Sequence, residues 1–163
     1  MNIVFLDIDG VLNGTNFLQA SVWPVVKENQ FWVMALNNLD SRAVELLNEL
    51  LAKTGSKVVV SSSWRSKVVV SSSWRHAWKR TQIQSLLCEK GFHGEILDMT
   101  PELGDRAVEI RMWVNIWRHF HSTINFVILD DDPVEGFGEL FVKTDKKTGL
   151  TQCDVDRCVA LLK

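Results

Sequence analysis

Two short apolar runs, each cut off by acids, narrow the possible folds of this chain more than anything else in it. Asn2 to Leu6 reads Asn-Ile-Val-Phe-Leu and stops at Asp7-Ile8-Asp9-Gly10, and Ile124 to Leu129 stops at Asp130-Asp131-Asp132-Pro133. Runs of this kind suit strands covered on both faces, as in a parallel sheet flanked by helices. In such a sheet ligands bind beyond the carboxyl ends of the strands, where both runs carry their acids. If the two strands are neighbours, Asp7, Asp9, Asp130 and Asp131 converge on one crevice. Like charges so placed raise one another's pKa unless a cation neutralises them. Carboxylate oxygens suit a hard cation, and magnesium fits phosphate chemistry best. The plainer alternative, that strand-end acids merely cap turns or helices, explains one aspartate more readily than two clusters.

Between these runs the apolar spacing changes from strand-like to helical. Asp40 is a plausible N-cap for a helix carrying Val44, Leu47, Leu50 and Leu51, which Thr54-Gly55 would end. His76 to Lys90 reads as a second helix with Ile83, Leu86 and Leu87 on one side, closed by Gly91. Asp105 is suited to cap a third, running to about Phe120 on Ala107, Ile110, Val114 and Trp117. Thr151 opens a last helix, with Asp154 completing a capping box and Val155, Cys158, Val159 and Leu162 beneath. Gly94 to Leu97 and Leu140 to Val142 read as short strands. Strands alternating with helices predict a three-layer, Rossmann-like α/β architecture on a mostly parallel central sheet. Residues 13 to 40 have weak periodicity and are expected to form a small cap or irregular insert anchored by Trp23, Phe31 and Trp32.

Residues 56–65 read Ser-Lys-Val-Val-Val-Ser-Ser-Ser-Trp-Arg, and residues 66–75 repeat them without a change. Two copies of so short a unit do not build a solenoid, so this is a local tandem duplication of which one copy occupies the sheet. Two registers are open. Either Lys57 to Val60 form the strand and Ser61 follows it, or Lys67 to Val70 form it and Ser71 follows. The second is preferred, because it keeps strand, serine turn and following helix contiguous and puts the disturbance into a helix-to-strand connection.

A chain of 163 residues with 46% apolar and 23% charged residues has the size and composition of one globular domain, 1–163. A formal charge of -2 does not announce a nucleic-acid binder. Cys88, Cys153 and Cys158 are too few and too irregular for a disulfide framework. No stretch approaches about 18 consecutive apolar residues, and no basic, apolar leader precedes the first strand. A cytoplasmic, non-membrane protein is the expectation. His76, His93, His119 and His121 show no metal-ligand spacing.

Asp7-Ile8-Asp9-Gly10-Val11-Leu12 resembles the first motif of the haloacid dehalogenase-like (HAD) phosphohydrolases, an apolar strand followed by Asp-x-Asp-Gly. Ser71, or alternatively Ser61, matches the Ser/Thr of the second motif. Arg106 matches the basic residue of the third, and Asp130 and Asp131 match the acid pair of the fourth. Ser-Ser-Ser-Trp-Arg, Thr100-Pro101 with Arg106 and Glu109-Ile110, Leu129 to Asp132 and Thr148-Gly149-Leu150 more narrowly resemble the small branch found in Swiss Army Knife RNA repair-like proteins. The resemblance implies a HAD fold with a minimal cap and a magnesium-dependent phosphomonoester hydrolase.

By the same resemblance Asp7 is the nucleophile that forms an aspartyl-phosphate, and Asp9 is the acid and base. Ser71 binds a phosphoryl oxygen, and Arg106 compensates transition-state charge. Magnesium is held by Asp7, the Asp9 backbone carbonyl, Asp131 and Asp130. Gly10, Ser72, Trp74 and Arg75 fall on the substrate side, where an aromatic ring beside a cation suits a nucleotide or nucleic-acid end. For Trp64/Trp74 and Arg65/Arg75 the alternative is packing against the following helix and a surface or supporting position. The substrate expected is a phosphorylated molecule, including a nucleic-acid terminus. The competing reading is a weak or inactive phosphate- or nucleic-acid-binding module of the same fold.

Overall fold

The computed structural model describes residues 1–20, 31–62 and 78–163. Among these residues five strands form one parallel sheet: β1 (Asn2–Leu6), β2 (Lys57–Val60), β3 (Ile96–Met99), β4 (Asn125–Asp130) and β5 (Phe141–Lys143). Their spatial order is β3-β2-β1-β4-β5. The chain winds outward from β1 in one direction, then returns to β1's other side with β4. The two acid-terminated strands are therefore neighbours, with Leu6 level with Leu129.

Among the described residues, six α-helices connect and cover the strands: α1 (Thr15–Ala20), α2 (Phe31–Asn37), α3 (Ser41–Thr54), α4 (Arg80–Glu89), α5 (Arg106–Trp117) and α6 (Gln152–Leu162). Val4 and Leu6 of β1 pack into a core with α3, α4 and α6, while Ile3 and Phe5 face a second core built largely on α5. A strand with helices on both sides needs apolar side chains at every position, which explains the unbroken run in β1. The expected three-layer α/β architecture is present.

The caps behave as their residues dictate. The Asp40 carboxylate accepts from Arg42 N–H at the start of α3, and Gly55 ends that helix at φ 62°. Thr151 and Asp154 form the reciprocal capping box of α6. Cys158 lies beneath that helix, where burial pushes its thiol up to about 12. Residues 13–40 contribute α1 and α2, with 21–30, and Trp23 among them, outside the described residues.

The preferred repeat register is corrected by the structure: the first copy, not Lys67 to Val70, forms the strand beside β1. Ile3 to Leu6 pair in register with Lys57 to Val60, and Val58 to Val60 also pair with β3. The physical reason lies at the end of α3. The left-handed Gly55 turns the chain, and Ser56 leads straight into β2, so the first copy meets the sheet at once. Val58, Val59 and Val60 become fully buried, each burial contributing about 1.5–3 kcal/mol. The opposite register would have left that triplet to find cover elsewhere. Ser71, Ser72, Trp74, Arg75 and the Val68 to Val70 triplet lie outside the described residues, as do Trp64 and Arg65.

Candidate active site

Asp7 sits one residue beyond β1, where its backbone N–H still donates to Leu129 O of β4 at 2.9 Å. Asp130 ends β4 and Asp131 follows it. Asp7, Asp130 and Asp131 are all buried, and ligand oxygens from the three lie within 4.8 Å of one another. Asp9 is exposed beside them, and its carboxylate is not part of that group. The crevice inferred from strand-end acids is thus present at the carboxyl edge of two adjacent parallel strands.

Arg106 enters this cluster from the first turn of α5. Its guanidinium lies 3.2 Å from Asp7 Oδ2 and pairs closely with Asp130 Oδ2. Two acids fix the helix start that carries it. Asp105 caps the helix by accepting from Val108 N–H at 3.0 Å. Glu109, 3% exposed, reaches back to accept the N–H groups of Leu103 and Gly104 at 2.8 and 3.2 Å. The loop into Arg106 is therefore tied to its own helix.

Burial raises the Asp7 carboxyl above its usual range; Arg106 opposes this, as do hydrogen bonds from Ser62 and the Ile8 backbone. Burial and then the neighbouring Asp7 charge push Asp130 up to about 7, again against Arg106. Burial disfavours the charged guanidinium of Arg106, but Asp7 and Asp130 together hold it above the ordinary arginine value. Three carboxylates face one half-buried guanidinium, so negative charge is left over for a divalent cation to neutralise.

The donor set fits magnesium in kind: hard oxygens only, converging on one point. Asp7 Oδ1 is buried with no hydrogen-bond partner among the described residues. Asp130 is already committed, with Oδ2 on Arg106 and Oδ1 accepting from Asp132 N–H at 2.9 Å. Among the described residues, Asp131 is paired with the exposed Lys146, at 3.5 Å. Asp7 and Asp131 are the more available direct ligands, and Asp130 also tethers the arginine.

Ser62 and Lys146, which the sequence did not single out, shape the site together with Ser61 and Gly10, which it did. Ser62 hydrogen-bonds Asp7. Ser61 follows Val60 as Asp7 follows Leu6, its N–H donating to Leu6 O at 2.8 Å, and its buried hydroxyl has no partner among the described residues. Gly10 has φ 74°, and a Cβ there would lie 2.3 Å from Asp131 Cγ. Its N–H is taken by Asn13 Oδ1 at 2.8 Å and its carbonyl by the Thr144 hydroxyl at 3.0 Å. Gly10, expected on the substrate side, thus has both backbone polar groups committed within the protein, and it shapes the turn. Lys146 had no motif to mark it. It lies on a loop whose carbonyls at Lys146 and Lys147 accept from Thr15 and Asn16, bringing it to the rim. His93 and His119 are exposed, His121 stacks on Trp117, and none of them joins the carboxylates; His76 lies outside the described residues.

Among known families, the one described as the HAD domain in Swiss Army Knife RNA repair proteins matches residues 3–68 and 65–155. The chain belongs to that family. Its two matched segments overlap inside the duplicated stretch, so the family pattern is interrupted where the extra copy stands and resumes after it. No curated protein and no solved structure matches this HAD domain significantly. Family membership and the clustering of Asp7, Asp130 and Asp131 together support a HAD-like active site at this edge of the sheet.

Proposed function

We propose that this HAD domain is a magnesium-dependent phosphomonoester hydrolase that works through an aspartyl-phosphate on Asp7. The observation that carries the reading is the state of the Asp7 carboxylate. One oxygen faces Arg106 at 3.2 Å, and the other is buried and without a partner among the described residues, within a three-carboxylate group. A carboxylate fixed at one oxygen and open at the other is poised to attack phosphorus.

In the first step an Asp7 oxygen forms a bond to phosphorus while the bond to the ester oxygen breaks. That bond's electron pair leaves with the ester oxygen, which takes a proton from Asp9. In the second step water attacks the same phosphorus, gives its proton to Asp9, and Asp7 departs as a carboxylate with release of inorganic phosphate. Arg106 offsets charge on the nucleophile and on the phosphoryl oxygens. Ser61, whose buried hydroxyl has no partner among the described residues, takes the phosphoryl-binding role first given to Ser71. Magnesium, held by Asp7, Asp131 and the Asp9 carbonyl with Asp130 in support, would shield phosphate charge from the attacking carboxylate. The family's link to RNA repair supports a nucleic-acid end or nucleotide as the phosphoryl donor.

A second reading, an inert phosphate-binding module, is favoured by one feature: the second copy, residues 66–75, follows Ser61 and Ser62 after only Ser63, Trp64 and Arg65. Phosphate release from an aryl phosphate, with and without magnesium, separates the two. Magnesium-dependent release that Asp7→Asn abolishes supports hydrolysis, with a loss of at least about a hundredfold expected for removing the nucleophile. Release unaffected by D7N would overturn the assignment.

A further inference from the structure

Asn13 lies four residues beyond Asp9 and is 3% exposed. Both ends of its carboxamide are engaged on the turn after β1. Gly10 N–H is a donor, so the Asn13 atom 2.8 Å from it is the oxygen. The amide nitrogen is thereby turned to Asp9 and donates to its Oδ1 at 2.8 Å. This orientation is fixed by chemistry, since the reverse placement would set two donors against each other at Gly10.

We infer that Asn13 is a positioning residue that makes Asp9 a directed proton donor; the inference rests on the roles of Asp7 and Asp9 proposed above. Asp9 is exposed, and an exposed carboxyl free to rotate would meet the leaving oxygen only part of the time. The Asn13 donor occupies Oδ1, so the proton that Asp9 transfers sits on Oδ2. A general acid works only within hydrogen-bond reach of the atom it protonates, and the Asn13 bond limits Asp9 to orientations that keep Oδ2 outward. As Asp7 attacks and the phosphorus–ester bond breaks, the Oδ2 proton moves to the departing oxygen. The amide does not titrate, so it orients the acid without competing for that proton.

The test compares kcat/KM for two substrates with magnesium present. An alkyl phosphate has a leaving oxygen that needs a proton; 2,4-dinitrophenyl phosphate leaves as a stable anion. This parameter ends at leaving-group departure, so the later hydrolysis by water does not blur it. Asn13→Ser keeps an acceptor for Gly10 N–H but does not also reach Asp9. It should lower kcat/KM on the alkyl phosphate about tenfold or more, and on the dinitrophenyl ester by no more than about twofold. Asn13→Thr, which likewise offers an acceptor to Gly10 N–H without a donor long enough to reach Asp9, serves if the serine variant does not melt cooperatively, and should give the same split. Equal losses on both substrates, or none on either, would overturn the inference while leaving the hydrolase intact. A wild-type protein inactive on both would instead overturn the hydrolase reading, and this inference with it.

Discussion

Gly10 shows how tightly single residues are set in this site. It combines a left-handed backbone with direct contact against the Asp131 carboxylate. Gly10→Ala should cost about 1–2 kcal/mol from backbone conformation alone, with more from displacing Asp131. A denaturant titration in metal-free buffer reads that cost. The clustering of Asp7, Asp130 and Asp131 was legible in sequence because their place follows from strand logic: an apolar run stops where charge begins, and charge at a strand's carboxyl end faces the ligand crevice. Asp9, expected with them, keeps its carboxylate outside the group. Asn13, Ser62 and Lys146 were not legible. Each acts through a turn or loop geometry that no spacing rule encodes, and an Asn four residues after an Asp is otherwise unremarked.

At the scale of elements, periodicity and caps located the principal helices and strands, and the boundaries moved only modestly. The helix expected from His76 is described from Arg80, and the strand expected at Gly94 to Leu97 is Ile96–Met99. The duplicated decapeptide could not be resolved this way. Identical segments have identical local propensities, so long-range pairing of Val58 to Val60 between β1 and β3 made the choice. The second copy then lies between β2 and α4. Deleting residues 66–75 gives the same chain as deleting 56–65. That shortened chain should melt cooperatively and keep its phosphate-releasing activity. Halving the connection from 61 to 79 should add no more than about 0.6 kcal/mol through loop-closure entropy. Loss of folding on deletion would mean that the second copy carries structure the sheet needs.

For the whole molecule, fold and charge act together. A parallel sheet that brings two acid-terminated strands side by side concentrates negative charge, which among the described residues meets the half-buried Arg106 and, at the rim, the exposed Lys146. A divalent cation should therefore stabilise the folded state, by about 2.7 kcal/mol at about 100 times its Kd. With Asp130 raised from 3.8 to about 7, the metal-free folded state holds more protons than the unfolded chain between those values. Its stability contribution is lost as pH rises through that window, whereas metal binding needs the carboxylates deprotonated. The magnesium-induced rise in Tm should accordingly be larger at about pH 8 than at about pH 5, and Asp131→Asn should reduce it at both.

The proposed hydrolase, unlike a passive anion pocket, would form a covalent bond between Asp7 and phosphorus, and trapping that bond examines the proposal without intermediaries. The protein is mixed with magnesium and an excess of aryl phosphate, quenched in acid before steady state, digested, and its peptides weighed. One phosphoryl group should appear on the peptide containing Asp7, be absent from D7N, and decay as inorganic phosphate is released. Magnesium-dependent phosphate release with no phosphoryl group on that peptide at any time, or with it on another residue, would contradict the assignment of Asp7 as nucleophile.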